Sequence, residues 1–140
     1  MKTEIVVIDG QGGGLGKQLV FELRKVRPDL QIIAVGTNSL ATLAMRKAGA
    51  DQCATGENAV IVAARRAELI LGPLGIVIAD ALLGEITPAM AVAVGQSPAQ
   101  KILIPMNQCG NQVVGIADPS YGKLVAEAVM TVCQLLPTKE

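Results

Sequence analysis

The residues of this chain that are best suited to chemistry form a glycine-rich segment near the amino terminus, Asp9-Gly10-Gln11-Gly12-Gly13-Gly14-Leu15-Gly16-Lys17. An apolar, β-branched run, Ile5-Val6-Val7-Ile8, precedes it, and a run with helical periodicity from Leu15 to Val26 follows. Glycines without a Cβ let backbone N–H groups approach an anion, and the positive end of the following helix favours negative charge. The segment therefore predicts a cradle for a small phosphorylated ligand.

Two known phosphate-binding loops match this segment only in part. The dinucleotide pattern is one residue too long, and Gly36-Thr37-Asn38-Ser39 stands where NAD sites usually carry an acid for the ribose. The dipeptide Gly16-Lys17 fits a P-loop, but Gln18 stands where that loop needs a hydroxyl. The missing acid argues against plain NAD, and the missing hydroxyl argues against a standard ATPase or kinase. Small polar residues after the second strand would suit the ribose phosphate of NADP.

The predicted ligand is a nucleotide or an NADP-like dinucleotide, because glycine or small polar residues end every predicted parallel strand. In an open α/β sheet such strand ends meet at one edge, where ligands bind. Asp9 would repel phosphate, so it either caps the loop, which is the favoured role, or binds magnesium. The predicted binding residues are Asp9, Gly10, Gly12, Gly13, Gly14, Gly16, Lys17, Gly36, Thr37, Asn38, Gly72 and Asn107.

Two other carboxylates are the candidate catalytic residues. Asp80 lies inside an apolar run and becomes the best acid or base if it is buried and faces a cleft. Glu85 comes shortly before a predicted helix, where a carboxylate is more often a partner of the helix dipole. The chain has no histidine and only three widely spaced cysteines, so no Cys/His metal site and no His-activated nucleophile are predicted.

Composition excludes several classes of protein. Twelve basic and twelve acidic residues cancel, and Phe21 and Tyr121 are the only aromatic residues, so a nucleic-acid partner is not expected. The most apolar stretch, Leu69 to Val94, is broken by glycine, proline and charge, so no membrane span is expected. The amino terminus does not have the pattern of a signal peptide. These features predict a cytoplasmic protein.

Strand-like runs alternate with helix-like runs, which predicts a single α/β domain over residues 1–140. We expect a three-layer Rossmann-like sandwich with a mostly parallel sheet of five to six strands. The sixth strand, Val113 to Ile116, follows the fifth, Lys101 to Ile104, after only about eight residues. A parallel crossover needs about a dozen, so the sixth strand is predicted as an antiparallel edge.

The helical pattern sets several further expectations. A helix starts near Ser39 and buries Leu40, Leu43 and Ala44, and Thr87-Pro88 starts another. Residues 79–83 are predicted as a short helix, although the run is too short for its periodicity to decide. Asp118-Pro119 starts the last helix, and the predicted strand and helix ranges are 4–9, 15–26, 30–35, 39–48, 51–54, 57–66, 68–71, 88–95, 101–104, 113–116 and 118–136.

Over nearly its whole length the chain resembles a small bacterial family of uncharacterised proteins, a domain-of-unknown-function group. The matching stretches are Ile8 to Gly14, Gly36-Thr37-Asn38, Gly49-Ala50-Asp51, Thr55 to Ala59, Gly72-Pro73, Gly84 to Ala91 and Ile104-Pro105. This resemblance implies no activity. In its loop and strand pattern, the first half is also similar to the nucleotide-binding regulatory domains of potassium transport systems.

Three hypotheses of function follow. The first is a nucleotide- or dinucleotide-binding domain, such as a sensor, with Lys17 near the phosphates. The second is a small enzyme that uses NADP or a magnesium nucleotide, with Asp9, Lys17, Asp80 and Glu85 as its candidate residues. The third is a structural homo-oligomer that associates through the Ala-rich helix at 89–95 and leaves the loop empty.

Overall fold

A computed structural model describes residues 4–106, 110–117 and 120–138. The strands among these residues are β1 (Glu4–Asp9), β2 (Gln31–Gly36), β3 (Gln52–Thr55), β4 (Leu69–Pro73) and β5 (Gln100–Ile104). The helices are α1 (Gly14–Val26), α2 (Ser39–Lys47), α3 (Glu57–Arg66), α4 (Pro88–Gln96) and α5 (Tyr121–Leu135). One turn of 3₁₀ helix, Leu74–Val77, follows β4.

The five strands form one sheet in the order β3-β2-β1-β4-β5, and every pair is parallel. This is the strand order of doubly wound nucleotide-binding folds, and the order reverses between β1 and β4. The predicted α/β, Rossmann-like architecture is confirmed. All strands end at the same edge of the sheet, so the loops after β1, β2 and β4 can meet there.

Helices cover both faces of the sheet. Ile5 and Val7 of β1 pack with α1, α2 and α5 on one face, whereas Val6 and Ile8 pack with α3 and α4 on the other. All four side chains are fully buried, as expected for a central parallel strand covered on both sides. Within the described residues, no helix has the length and apolar character needed to cross a membrane.

The predicted antiparallel edge strand at Val113–Ile116 is wrong. Residues 110–117 form turns and irregular backbone without strand pairing. Gly115 has φ 92°, a left-handed conformation that interrupts a ladder, and the side chain of Val114 is 96% exposed. The β-branched residues on which the strand prediction rested therefore do not form the buried face of a strand. The predicted start of the last helix, Asp118-Pro119, lies outside the described residues.

The segment that connects β4 to α4 is not the predicted short helix. After the 3₁₀ turn, residues 78–87, here called the 78–87 loop, form consecutive turns. Asp80, Leu82 and Leu83 have φ of 67°, 57° and 57°. The ends of the loop are joined because the Asp80 N–H donates to the Ile86 carbonyl at 2.7 Å. These left-handed residues are incompatible with a continuous helix.

The buried face of α2 also differs from the predicted one. Leu40 is 63% exposed and Leu43 is 45% exposed, whereas Ala41 and Met45 are fully buried. The glycine loop explains this choice, because a Cβ at Gly13 would lie 2.7 Å from the Ala41 Cα. Such a close approach requires the small Ala41 at the contact, so α2 turns its leucines outward.

We predict that Gly72→Ala destabilises the protein by about 1–3 kcal/mol, because the added methyl overpacks the sheet. A Cβ at Gly72 would collide with the Ile8 carbonyl oxygen and would lie 3.0 Å from Ile76 Cδ1. The matched control is Gly95→Ala in α4, where no atom lies within 4 Å of the new Cβ. That change should be neutral or stabilise by up to about 1 kcal/mol. Urea unfolding measures both values, and equal effects would contradict the packing role of Gly72.

Candidate functional site

Asp9 ends β1 and holds the start of the glycine loop. Its side chain is 5% exposed, and its two carboxylate oxygens accept hydrogen bonds from Gly10 N at 2.8 Å and Gly16 N at 2.7 Å. Burial raises the pKa of Asp9 despite the two N–H bonds, and the negative charge of Glu85 raises it further. These are the contacts of a cap that joins the end of β1 to the first turn of α1.

Two glycines of the loop are required by close packing. Gly13 has φ 74°, and its N–H donates to the Gly10 carbonyl at 2.9 Å. A Cβ at Gly16 would lie 2.6 Å from Met45 Sδ and 2.8 Å from Asp9 Cβ. Gly12 and Gly14 are different, because a Cβ at either position would meet no atom within 4 Å. These two glycines leave open space beside the start of α1.

Three backbone donors remain available at this open part of the loop. The N–H groups of Gly12, Gly14 and Leu15 have no hydrogen-bond partner in the part of the chain that the structure describes. The last two belong to the first turn of α1, where backbone N–H groups carry the positive end of the helix dipole. Lys17 is exposed on the same turn. Donors and positive potential therefore lie together at the start of α1.

Glu85, in the 78–87 loop, reaches across the sheet edge to the loops after β1 and β2. Its Oε1 accepts from Thr37 Oγ1 at 2.6 Å, from Asn38 Nδ2 at 2.7 Å and from Gln11 N at 3.0 Å. Burial alone would raise the pKa of Glu85, but the bonds from Thr37, Gln11 and Asn38 outweigh it and lower the pKa. Glu85 is therefore a carboxylate stabilised in its charged form at the point where the strand order reverses.

Asn38 connects two loops to a helix. Its Oδ1 accepts from Ala41 N at 2.9 Å and thereby caps α2, while its Nδ2 also donates to the Gln11 carbonyl at 2.9 Å. Together with its bond to Glu85, this side chain fixes the loop after β2 against the loop after β1. Thr37 and Asn38 are thus structural partners of the carboxylate at the site.

The remaining predicted site residues have mixed placements. Gly10 packs closely against Thr37, since a Cβ on Gly10 would lie 2.6 Å from Thr37 Oγ1. Gly36 packs against Thr42, and Gly72 packs against the Ile8 carbonyl, so both are explained by packing. Asn107 lies outside the described residues.

Asp80 does not meet the condition set for a catalytic acid or base. Its side chain is exposed, and its backbone has a left-handed conformation in a turn. Glu85 is half-buried and engaged by three donors. The structure therefore does not bring the two candidate catalytic carboxylates together as a pair. Among the described residues, no group of three or more His, Cys, Asp or Glu side chains could hold a metal ion.

Two contributors to the site are absent from the predicted set. Gln11 donates its backbone N–H to Glu85 and has φ 51°. The N–H of Leu15 has no partner among the described residues. Both act through the backbone, so their side-chain types carry no signal of this role. Their position inside a glycine-rich loop was the available clue, since such loops use backbone donors regardless of side chain.

Comparison with known proteins assigns this chain to a family. The sequence model of a domain of unknown function, DUF3842, matches residues 4–137. The chain belongs to this family. No curated protein sequence matches it.

One similar solved structure is the crystal structure of a dodecameric FMN-dependent UbiX-like decarboxylase from Escherichia coli O157:H7. It is 15% identical, the alignment covers 97% of this chain and 95% of that chain, and the TM-score is 0.44. A similarity this distant carries no functional information about the DUF3842 domain.

For this DUF3842 domain we predict that Glu85→Gln lowers the free energy of unfolding by about 1–2 kcal/mol at pH 7, because three charge-assisted hydrogen bonds become neutral ones. The folded-state pKa of Glu85 is lowered from 4.5, so its stabilisation is present above that pH and is lost as the pH falls through the lowered pKa. The difference between wild type and Glu85→Gln should therefore shrink in acid.

The matched control is Glu57→Gln, since Glu57 also accepts a threonine hydroxyl, from Thr87 at 2.5 Å, but it is exposed and lies outside the site. Urea unfolding at pH 7 and at acid pH measures both variants. A Glu85→Gln effect that does not change with pH would show that the carboxylate charge is not the stabilising element.

Proposed function

We propose that this domain binds a nucleotide through its phosphate group, at the turn that runs from Gly12 to Leu15. The observation that supports this most is the set of three backbone N–H groups, at Gly12, Gly14 and Leu15, that have no partner among the described residues. They lie at the carboxyl end of the central strand, beside the point where the strand order reverses, which is where doubly wound sheets bind nucleotides. Open space around Gly12 and Gly14 would let a phosphate approach them.

The charges around the turn are compatible with an anion. Asp9 is buried and its oxygens accept two N–H bonds, and Glu85 accepts from Gln11 N rather than from Gly12, Gly14 or Leu15. The phosphate would contact the first turn of α1, with Lys17 on the same turn. Each charge-assisted bond to a phosphate oxygen is worth about 1.5–3 kcal/mol, and the helix dipole adds about 0.3–1 kcal/mol.

A binding or regulatory role has more support than catalysis of a reaction. The exposed side chain of Asp80 and the fully engaged Oε1 of Glu85 do not form an acid and base pair. The residues that are brought together are donors and one acceptor, which suit recognition of a ligand. We therefore favour a nucleotide sensor over a small enzyme.

Self-association through α4 is a second candidate function, supported by the apolar surface of that helix. Val92 is 53% exposed and lines a groove with Ile61 and Ala93. The helix α4 is apolar on nearly every side, and a helix of this kind is usually buried. In the single chain, part of the apolar surface of α4 is exposed. This hypothesis is compatible with nucleotide binding, because the groove lies away from the glycine loop.

We predict that AMP and GMP bind, that adenosine and guanosine bind at least about 10-fold more weakly, and that Gly14→Val weakens AMP about 10-fold or more. Loss of access to one charge-assisted donor accounts for that factor. Gly14 is a suitable probe because a Cβ there lies in open space, whereas a Cβ at Gly13 would collide with Ala41.

The control for folding is Gly95→Val, an equivalent change in open space on α4. Isothermal titration calorimetry with the wild type and both variants measures the affinities. If neither AMP nor GMP binds at millimolar concentration, or if Gly14→Val binds AMP as the wild type does, the proposed function is wrong.

For α4 we predict that the wild type is larger than one chain by light scattering and that Val92→Lys shifts it toward the monomer, since a charged side chain would be buried at the contact. Leu83→Lys is the control, because Leu83 is 96% exposed in the 78–87 loop. A wild-type protein that is monomeric at high micromolar concentration would exclude self-association through this helix.

A further inference from the structure

The chain lacks an acid directly after β2, yet the folded structure has a carboxylate there. Glu85 lies 2.6 Å from Thr37 Oγ1 and 2.7 Å from Asn38 Nδ2, the two residues that follow β2. It comes from 48 residues further along the chain than Thr37. In dinucleotide-binding domains an acid at this strand end accepts the hydrogen bond of a ribose hydroxyl. The position is therefore filled from the loop after β4.

We propose that Glu85 accepts a hydrogen bond from a ribose hydroxyl of a bound nucleotide and so selects ribonucleotides, and that the 78–87 loop over Gly10 favours a ligand with a single nucleoside unit. The inference rests on the proposed nucleotide binding and adds the sugar and the size of the ligand. Glu85 acts in it as an acceptor and a determinant of specificity, while the free N–H groups at the start of α1 hold the phosphate.

The hydrogen-bond geometry of Glu85 leaves acceptor capacity for a ligand. Its Oε1 accepts from Thr37, Asn38 and Gln11, whereas among the described residues its Oε2 accepts only a 3.2 Å contact from the same Gln11 N. An ionised carboxylate has about four lone-pair sites and three donors are engaged here, so Oε2 can accept one further hydroxyl hydrogen. The side chain is half-buried, and its three donors fix its orientation before any ligand arrives. Such an acceptor loses little freedom on binding.

The size of the ligand follows from what fills the other half of the crevice. A dinucleotide extends across both sides of the point where the strand order reverses. On the β4 side, the 78–87 loop packs over Gly10 at the end of β1. Leu82 is 6% exposed, and its Cδ1 would lie 3.0 Å from a Cβ at Gly10, while Ile86 is 1% exposed. A single ribose phosphate would therefore lie between Glu85 and the start of α1.

The first experiment compares ligands on the wild-type protein, so it does not depend on the folding of a variant. Calorimetry measures AMP, 2′-deoxy-AMP, 2′,3′-dideoxy-AMP and NADP⁺. We expect dideoxy-AMP to bind at least about 10-fold more weakly than AMP, since it loses charge-assisted hydroxyl contacts. We also expect NADP⁺ to bind no more tightly than AMP, because the 78–87 loop lies over Gly10 on the β4 side of the point where the strand order reverses.

The second experiment repeats the series on Glu85→Gln, with Glu57→Gln as the matched control. The preference of Glu85→Gln for AMP over dideoxy-AMP should fall to about 2-fold or less, with its affinity for dideoxy-AMP close to that of the wild type. Glu57→Gln should keep the full preference, because Glu57 accepts the Thr87 hydroxyl outside the site.

Three outcomes would overturn the inference. Equal binding of AMP and dideoxy-AMP to the wild type would show that the ribose hydroxyls do not contribute to affinity, while the proposal of phosphate binding would still hold. Tighter AMP binding by Glu85→Gln than by the wild type would mean that the carboxylate hinders binding. Tighter binding of NADP⁺ than of AMP would mean that the 78–87 loop does not exclude a dinucleotide. If no nucleotide of the series binds the wild type, the proposed function itself fails and this inference fails with it.

Discussion

The buried carboxylate of Asp9 is the interaction on which the glycine loop depends. An ionised carboxylate in a protein interior is tolerated only where hydrogen bonds replace its hydration. Here Gly10 N and Gly16 N supply those bonds, one before and one after the turn, so the turn must close around Asp9. Gly16 must then be a glycine, because its backbone approaches Asp9 too closely for a Cβ. The donors that remain, at Gly12, Gly14 and Leu15, lie on the part of the loop that Asp9 does not use.

The two carboxylates at this edge of the sheet behave in opposite ways for one physical reason. Burial exceeds hydrogen bonding at Asp9, so its pKa is raised, whereas hydrogen bonds exceed burial at the half-buried Glu85, so its pKa is lowered. Asp9 is therefore the costly structural group, and Glu85 is the stably charged one. Because Glu85 takes donors from the loops after β1 and β2, it orders the sheet edge without drawing on the N–H groups of the first turn of α1.

The sequence predicted the elements better than their contacts. The range of α3, Glu57 to Arg66, was correct because periodicity determines it, and the start of α4 was correct because the Thr87 side chain caps the helix and Pro88 opens it. Val113 to Ile116 was misread since β-branching cannot reveal whether a strand has a neighbour to pair with. The site was predictable at Gly10 to Gly16, which follow a strand directly. The place of Glu85 was not, because it meets Gln11 across 74 residues and only the folded sheet brings them together.

The 78–87 loop is more than a connection between β4 and α4. Asp80, Leu82 and Leu83 are left-handed without being glycine, and each such residue costs about 1–3 kcal/mol. A strained conformation persists only where its surroundings determine it, and here the burial of Leu82 and Ile86 contributes about 1.5–3 kcal/mol each. A connection that did not pack over Gly10 would not need these left-handed residues. The loop instead places Glu85 at the end of β2 and Leu82 beside Gly10, and backbone strain of this kind is concentrated at functional sites.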